Sequence, residues 1–177
     1  MPNRYATFKE NAKRKEKKGN ISIHRIELPE HKSGIKDQII SFTTFYREAL
    51  RLSKNKKYDK VYASSSRLFT AYLGYKIASS RKKTPLFLDI RDIFIDTIED
   101  VVKSKFMLSM AMPLLKTIEK RTFNYASHIN LVSHGFEEYF RKFSCPSLSY
   151  YTNGIDDIFL NFPESREKNE VKIITYA

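Results

Sequence analysis

Short apolar runs alternate with stretches of helical period along most of this chain, and no other feature constrains its fold as tightly. Residues 58–63 end in Val61, Tyr62 and Ala63, residues 85–90 carry Leu86, Phe87 and Leu88, and residues 129–132 and 147–151 form two further runs. Between them Leu68, Phe69, Tyr72, Leu73 and Ile77 repeat at helical spacing, residues 96–125 keep a helical period, and residues 135–143 suit a short helix. Strands that are short, apolar throughout and separated by helices pair in parallel beneath a helical cover on both faces. The predicted class is α/β, a Rossmann-like doubly wound parallel sheet. Proline inside a helix removes a backbone donor and crowds the preceding turn, so the long helical segment is expected to break near Pro113.

Upstream of this alternation, residues 1–20 carry seven basic side chains between Arg4 and Lys18 against Glu10 and Glu16, with Tyr5 and Phe8 as the main apolar groups. That composition predicts a solvated loop or frayed helix closed by the Gly19-Asn20 turn. Ile21, Ile23, Ile26 and Leu28 approximate a strand that Pro29 ends, and Ile35, Ile39, Phe42, Tyr46, Leu50 and Leu52 predict an amphipathic helix over residues 36–53.

With 177 residues the chain has room for one core. No apolar run reaches the ~18 residues of a membrane-spanning helix, and the basic N-terminus lacks the apolar stretch of a secretory signal, so a cytoplasmic location is expected. Cys145 is the single cysteine, which excludes an internal disulfide and a cysteine-based zinc framework. The formal net charge of +12 predicts an attraction to polyanions, whether phosphorylated small molecules, nucleic acid or anionic lipid headgroups.

Ligands of open parallel sheets bind at the carboxyl ends of the strands, where loops and helix starts present free N–H groups. Four polar clusters fall there. Ser64, Ser65, Ser66 and Arg67 offer hydroxyls and a guanidinium suited to phosphate or sugar, with helix capping as the plainer role. Asp89, Arg91 and Asp92 could hold a sugar or, at Asp92, accept a proton, with an internal ion pair as the alternative. Ser133, His134 and Gly135 lack the surroundings of a nucleophile elbow, and Asn153-Gly154 suits a turn on conformational grounds alone. The sequence contains no phosphate-binding loop, no G-x-G-x-x-G and no H-E-x-x-H, which removes support for ATP hydrolysis, dinucleotide redox chemistry and zinc peptidase activity.

In order and spacing, the segments Tyr58-Asp59-Lys60-Val61-Tyr62-Ala63-Ser64-Ser65, Asp89-Ile90-Arg91-Asp92, Glu119-Lys120 through Gly135, and Thr152-Asn153-Gly154-Ile155-Asp156 resemble the acceptor-side N-terminal domain of GT-B glycosyltransferases of family 4. Among these, the bacterial O-antigen and capsule enzymes that include N-acetyl-fucosamine transferases are the most similar. The resemblance implies a retaining transfer of a sugar from a nucleotide-sugar, UDP-linked, to a lipid-linked or polysaccharide acceptor, without a catalytic metal or cofactor. It implies an acceptor-side domain over residues 1–163, lacking the family's usual opening strands, and over residues 164–177 a linker and the first strand of a donor-binding domain. On this reading Asp92 is catalytic, while Arg4, Ser64, Ser65, Ser66, Arg67, Asp89, Arg91, Ser133 and Asn153 contact the acceptor. The partners are then a nucleotide-sugar, a lipid-linked acceptor and the anionic inner face of the membrane rather than nucleic acid. Ile93-Phe94-Ile95 departs from the Leu-Trp-Pro that follows Arg-Asp in related enzymes. A stand-alone basic module for phosphorylated glycans or nucleic acid is the alternative from another class.

Overall fold

A computed structural model of the chain describes residues 13–29, 35–65, 67–80, 84–95, 98, 105–145 and 147–154. The elements are β1 (Lys15–Lys18), β2 (Ile21–His24), α1 (Ile35–Ser53), β3 (Val61–Ser65), α2 (Leu68–Ser79), β4 (Leu86–Ile90), α3 (Lys105–Tyr125), β5 (His128–Leu131), a single 3-10 turn over His134–Phe136, α4 (Glu137–Phe140) and β6 (Leu148–Tyr150). Strands β3, β4, β5 and β6 form a parallel sheet in that order, flanked by helices, so the α/β class read from the sequence is observed.

The sheet order runs in chain order, and this decides where the helices go. Right-handed crossovers that always step in one direction deliver every connecting helix to the same face. The burial pattern agrees. Leu86, Leu88 and Ile90 of β4 and Ile129 and Leu131 of β5 alternate along their strands onto one face, where they form one core with Leu68, Ala71 and Ala78 of α2 and Leu115 and Phe123 of α3. Helix α1 packs on α2, with the ring of Phe42 5.4 Å from that of Phe69 and Tyr46 stacked 6.5 Å from Tyr72. Among the described residues no helix covers the opposite face, which carries Tyr62, Ser64, Phe87, Asp89, His128, Asn130 and Ser149.

The helical cover expected on both faces is found on one among the described residues, because the crossovers all step the same way; two further expectations need correction. Residues 15–18, expected as loop or frayed helix, are a strand paired antiparallel with β2 through a two-residue turn in which Gly19 takes φ +56. Lys-rich sequence hides this strand, which ion pairing supports: Glu16 sits 2.8 Å from Arg25 on the β2 side and 3.4 Å from Lys18 on its own strand. Helix α3 runs through Pro113 without a break. Pro113 and Ser109 are both exposed, so the carbonyl that loses its intrahelical donor faces water rather than core. The strand expected at residues 171–177 and the linker at 164–170 lie outside the described residues.

Candidate functional site

The uncovered face of the sheet carries a row of polar side chains. Parallel register places Ser64, Asp89, Asn130 and Ser149 side by side on β3, β4, β5 and β6. Each bonds its neighbour: Ser64 Oγ donates to Asp89 Oδ2 at 2.6 Å, Asn130 Nδ2 donates to Asp89 Oδ1 at 2.7 Å, and Ser149 Oγ donates to Asn130 Oδ1 at 3.1 Å. The row behind it is Tyr62, Phe87 and His128, with the two ring nitrogens of His128 at 2.9 Å from Ser147 Oγ and 2.8 Å from Ser149 Oγ.

Beyond the carboxyl ends of β4 and β6 the same network continues. Arg91 Nε donates to Asp89 Oδ2 at 3.3 Å and Arg91 Nη1 to Asn153 Oδ1 at 3.2 Å, which ties the loop after β4 to the loop after β6. Asn130 Oδ1 also accepts the backbone N–H of Tyr151 at 2.9 Å. An open cleft of about 500 Å³ lies over these groups, lined by Tyr62, Phe87, Asp89, Arg91, His128, Asn130, Ser149, Tyr151, Asn153 and Gly154 among others.

Asp89 is only 5% exposed, and its burial pushes the carboxyl up. Hydrogen bonds from Ser64, Asn130 and Arg91, with the charge of Arg91, outweigh burial and hold it below the ordinary aspartate value. A carboxylate so placed is ionised and has both oxygens occupied, so it organises the site rather than accepting protons from a ligand. Burial, followed by the negative charge of Asp89, raises Tyr62 above the usual phenol value and keeps its hydroxyl a neutral donor. Arg91 has five N–H donors, of which two are engaged in these bonds, and its side chain is 52% exposed. The groups left to face a ligand are therefore the Arg91 guanidinium, the Asn153 amide and the rings of Tyr62 and Tyr151.

Of the residues singled out in the sequence, the structure brings Ser64, Asp89, Arg91 and Asn153 together. Ser64 and Ser65 belong to β3 itself rather than to a loop after it. Arg67 stands at the N-cap position of α2 in extended conformation with no side-chain cap bond, so neither that capping role nor a place in the cleft lining falls to it. Asp92 Oδ1 accepts the N–H of Ile93 at 2.9 Å, next in sequence to Arg91 but outside the Asp89 network. Ser133 Oγ accepts the N–H of Gly135 at 3.1 Å as the cap of the 3-10 turn, and His134 stacks on Tyr150 with ring centroids 3.8 Å apart. Arg4 and Ser66 lie outside the described residues. Among the described residues, no cluster of His, Cys, Asp and Glu could hold a metal ion.

Sequence reasoning passed over Asn130, Ser149, His128, Tyr62 and Tyr151. The signal was present: a polar residue inside each of the last two strands, Asn130 between Ile129 and Leu131 and Ser149 between Leu148 and Tyr150, is an alternation within runs read as apolar. Fold and site together define an α/β domain whose parallel sheet carries a polar cleft reaching the carboxyl ends of its strands. Comparison with family models, with curated proteins and with solved structures returns no match to this chain.

Proposed function

We propose that the chain is the acceptor-side domain of a retaining glycosyltransferase of surface-polysaccharide synthesis. It receives a lipid-linked or polysaccharide acceptor at the inner face of the membrane, while a UDP-sugar is held by a facing domain without a catalytic metal. The observation that carries this reading is the Asp89-centred network that fixes Arg91 and Asn153 at the strand ends beside two exposed tyrosine rings. Sugars present hydroxyls in a ring plane and C–H groups on its faces, which suits a guanidinium, an amide and aromatic surfaces grouped in one open cleft. Anchoring Arg91 through Asp89 removes freedom that binding would otherwise have to remove.

In this reading Arg91 and Asn153 hold acceptor hydroxyls, and Tyr62 and Tyr151 pack on a ring face. The catalytic role read for Asp92 from the sequence is not part of the proposal, since its carboxylate caps the Ile93 N–H outside the cleft lining. The chain alone does not turn over, because the charge that develops on the leaving diphosphate needs donors from the facing domain. Saturation-transfer NMR of the purified chain with amino-sugar-terminated oligosaccharides tests the reading. Contacts to ring protons are expected, and Arg91→Ala should weaken them about tenfold or more, the scale of a lost charge-assisted hydrogen bond. An unchanged signal in that variant, or tight binding of single-stranded DNA in place of sugars at about 0.15 M salt, would sink it.

A further inference from the structure

Helix α3 buries Leu115, Glu119, Thr122 and Phe123 against the core, and its outward face is divided along its length. In the first half Phe106, Met110 and Leu114 recur every four residues and are 75%, 69% and 64% exposed. In the second half Lys116, Lys120 and Arg121 are exposed and border a shallow concavity with Thr117 and Asn124. The only acidic residue of the helix, Glu119, is 4% exposed and accepts the hydroxyl of Tyr139 at 2.5 Å, so the outward face bears positive charge alone.

We propose that this face of α3 seats on an anionic lipid surface, with Phe106, Met110 and Leu114 entering the acyl boundary and Lys116, Lys120 and Arg121 meeting lipid phosphates. Interfacial helices combine large apolar side chains with Lys and Arg and lie in the membrane plane with their apolar face about 5–10 Å deep. Phe106 and Leu114 stand about 12 Å apart along the axis, a stripe long enough to anchor and too short to cross. No helix of the described residues is long and apolar enough to span a membrane.

Charge complementarity selects the lipid. A nucleic acid would neutralise the cations but leave three large apolar side chains in water. A second copy of the same face would cover the apolar groups yet offer no carboxylate to the cations. The inference rests on the proposed glycosyltransferase reading only for why a membrane is present, and lipid binding is measured separately from sugar binding.

The chain has no tryptophan, so Met110→Trp creates a single reporter on the exposed stripe. Its emission is expected to shift to the blue with phosphatidylcholine vesicles containing phosphatidylglycerol and to stay unshifted with phosphatidylcholine alone. Co-sedimentation with the mixed vesicles should fall about tenfold or more in Phe106→Gln/Met110→Gln/Leu114→Gln, since three exposed apolar groups then no longer leave water. Lys116→Gln/Lys120→Gln/Arg121→Gln should lose the preference for anionic vesicles, whereas Lys15→Gln/Lys17→Gln/Lys18→Gln in β1 should leave the blue shift in place.

Absence of binding to anionic vesicles overturns the proposal, as does binding with no shift at position 110. A dimer that the apolar triple variant dissociates, with vesicle binding unchanged, would make the occupant a second copy. If the apolar triple variant melts abnormally, the single-tryptophan measurement decides alone. A chain that inserts α3 but ignores sugars keeps this inference and loses the enzymatic one.

Discussion

Asp89 shows how one residue is set by its neighbours, Ser64 and Asn130 on the two flanking strands and Arg91 just beyond its own. Asn at this position would turn an amide N–H toward either the Asn130 donor or the Ser64 and Arg91 donors, so Asp89→Asn should cost about 1–3 kcal/mol at neutral pH. The folded carboxyl titrates below its ordinary value, so the ionised form adds stability that is complete above the unfolded value, near pH 4. That contribution is lost as pH falls through the folded value, and the gap between wild type and variant should shrink in the same direction. Urea midpoints at neutral and acid pH check this, and a gap that does not change with pH would contradict it. Gly74 carries a different constraint. A Cβ there would lie 2.9 Å from Ala63 Cβ and 3.2 Å from a Leu86 methyl, because α2 crosses β3 at closest approach. Gly74→Ala should therefore lower stability by about 1–3 kcal/mol despite the better helix propensity of alanine. A raised melting temperature would show that α2 shifts to make room.

At the scale of elements, α3 gives the sharpest test of propensity against context. The helix retains Pro113 because its outer side is wet, so replacing the proline restores a hydrogen bond and removes a ring without opening the core. Pro113→Ala should stabilise the chain, by up to about 3 kcal/mol, and raise the melting temperature. No change would mean that the helix has already relaxed around the ring. The helix itself was legible from its period; its continuity was not, because the cost of a proline depends on which carbonyl it orphans and what that carbonyl faces. Of the β1–β2 hairpin, the turn and β2 were legible, and β1 was not. All four residues of β1 are charged, and the pairing becomes visible only once Glu16 is seen beside Arg25 across the ladder.

For the whole molecule, contacts divide the chain into a sheet with packed helices and a hairpin whose main contacts are internal. A two-stranded hairpin is marginal by itself, so amide hydrogen exchange should be fastest in β1 and β2. Exchange should be slowest in β4 and β5, which are flanked by strands on both sides and buried under α2 and α3. Protection of the hairpin equal to that of β4 would mean that it is docked more firmly than its contacts indicate.

The amino-acid sequence by itself determined the α/β class, the order of strands and helices, and the polar groups at Asp89, Arg91 and Asn153, because periodicity and strand-end position are local properties. Only the tertiary structure decided which polar groups meet. Ser64, Asp89, Asn130 and Ser149 are separated by 19 to 41 residues along the chain and become neighbours through parallel register, which no local pattern encodes. The same holds for the uncovered face. Whether a parallel strand is buried on one side or two depends on the direction in which successive crossovers step, and that direction is fixed by how strands pack, not by what any strand contains.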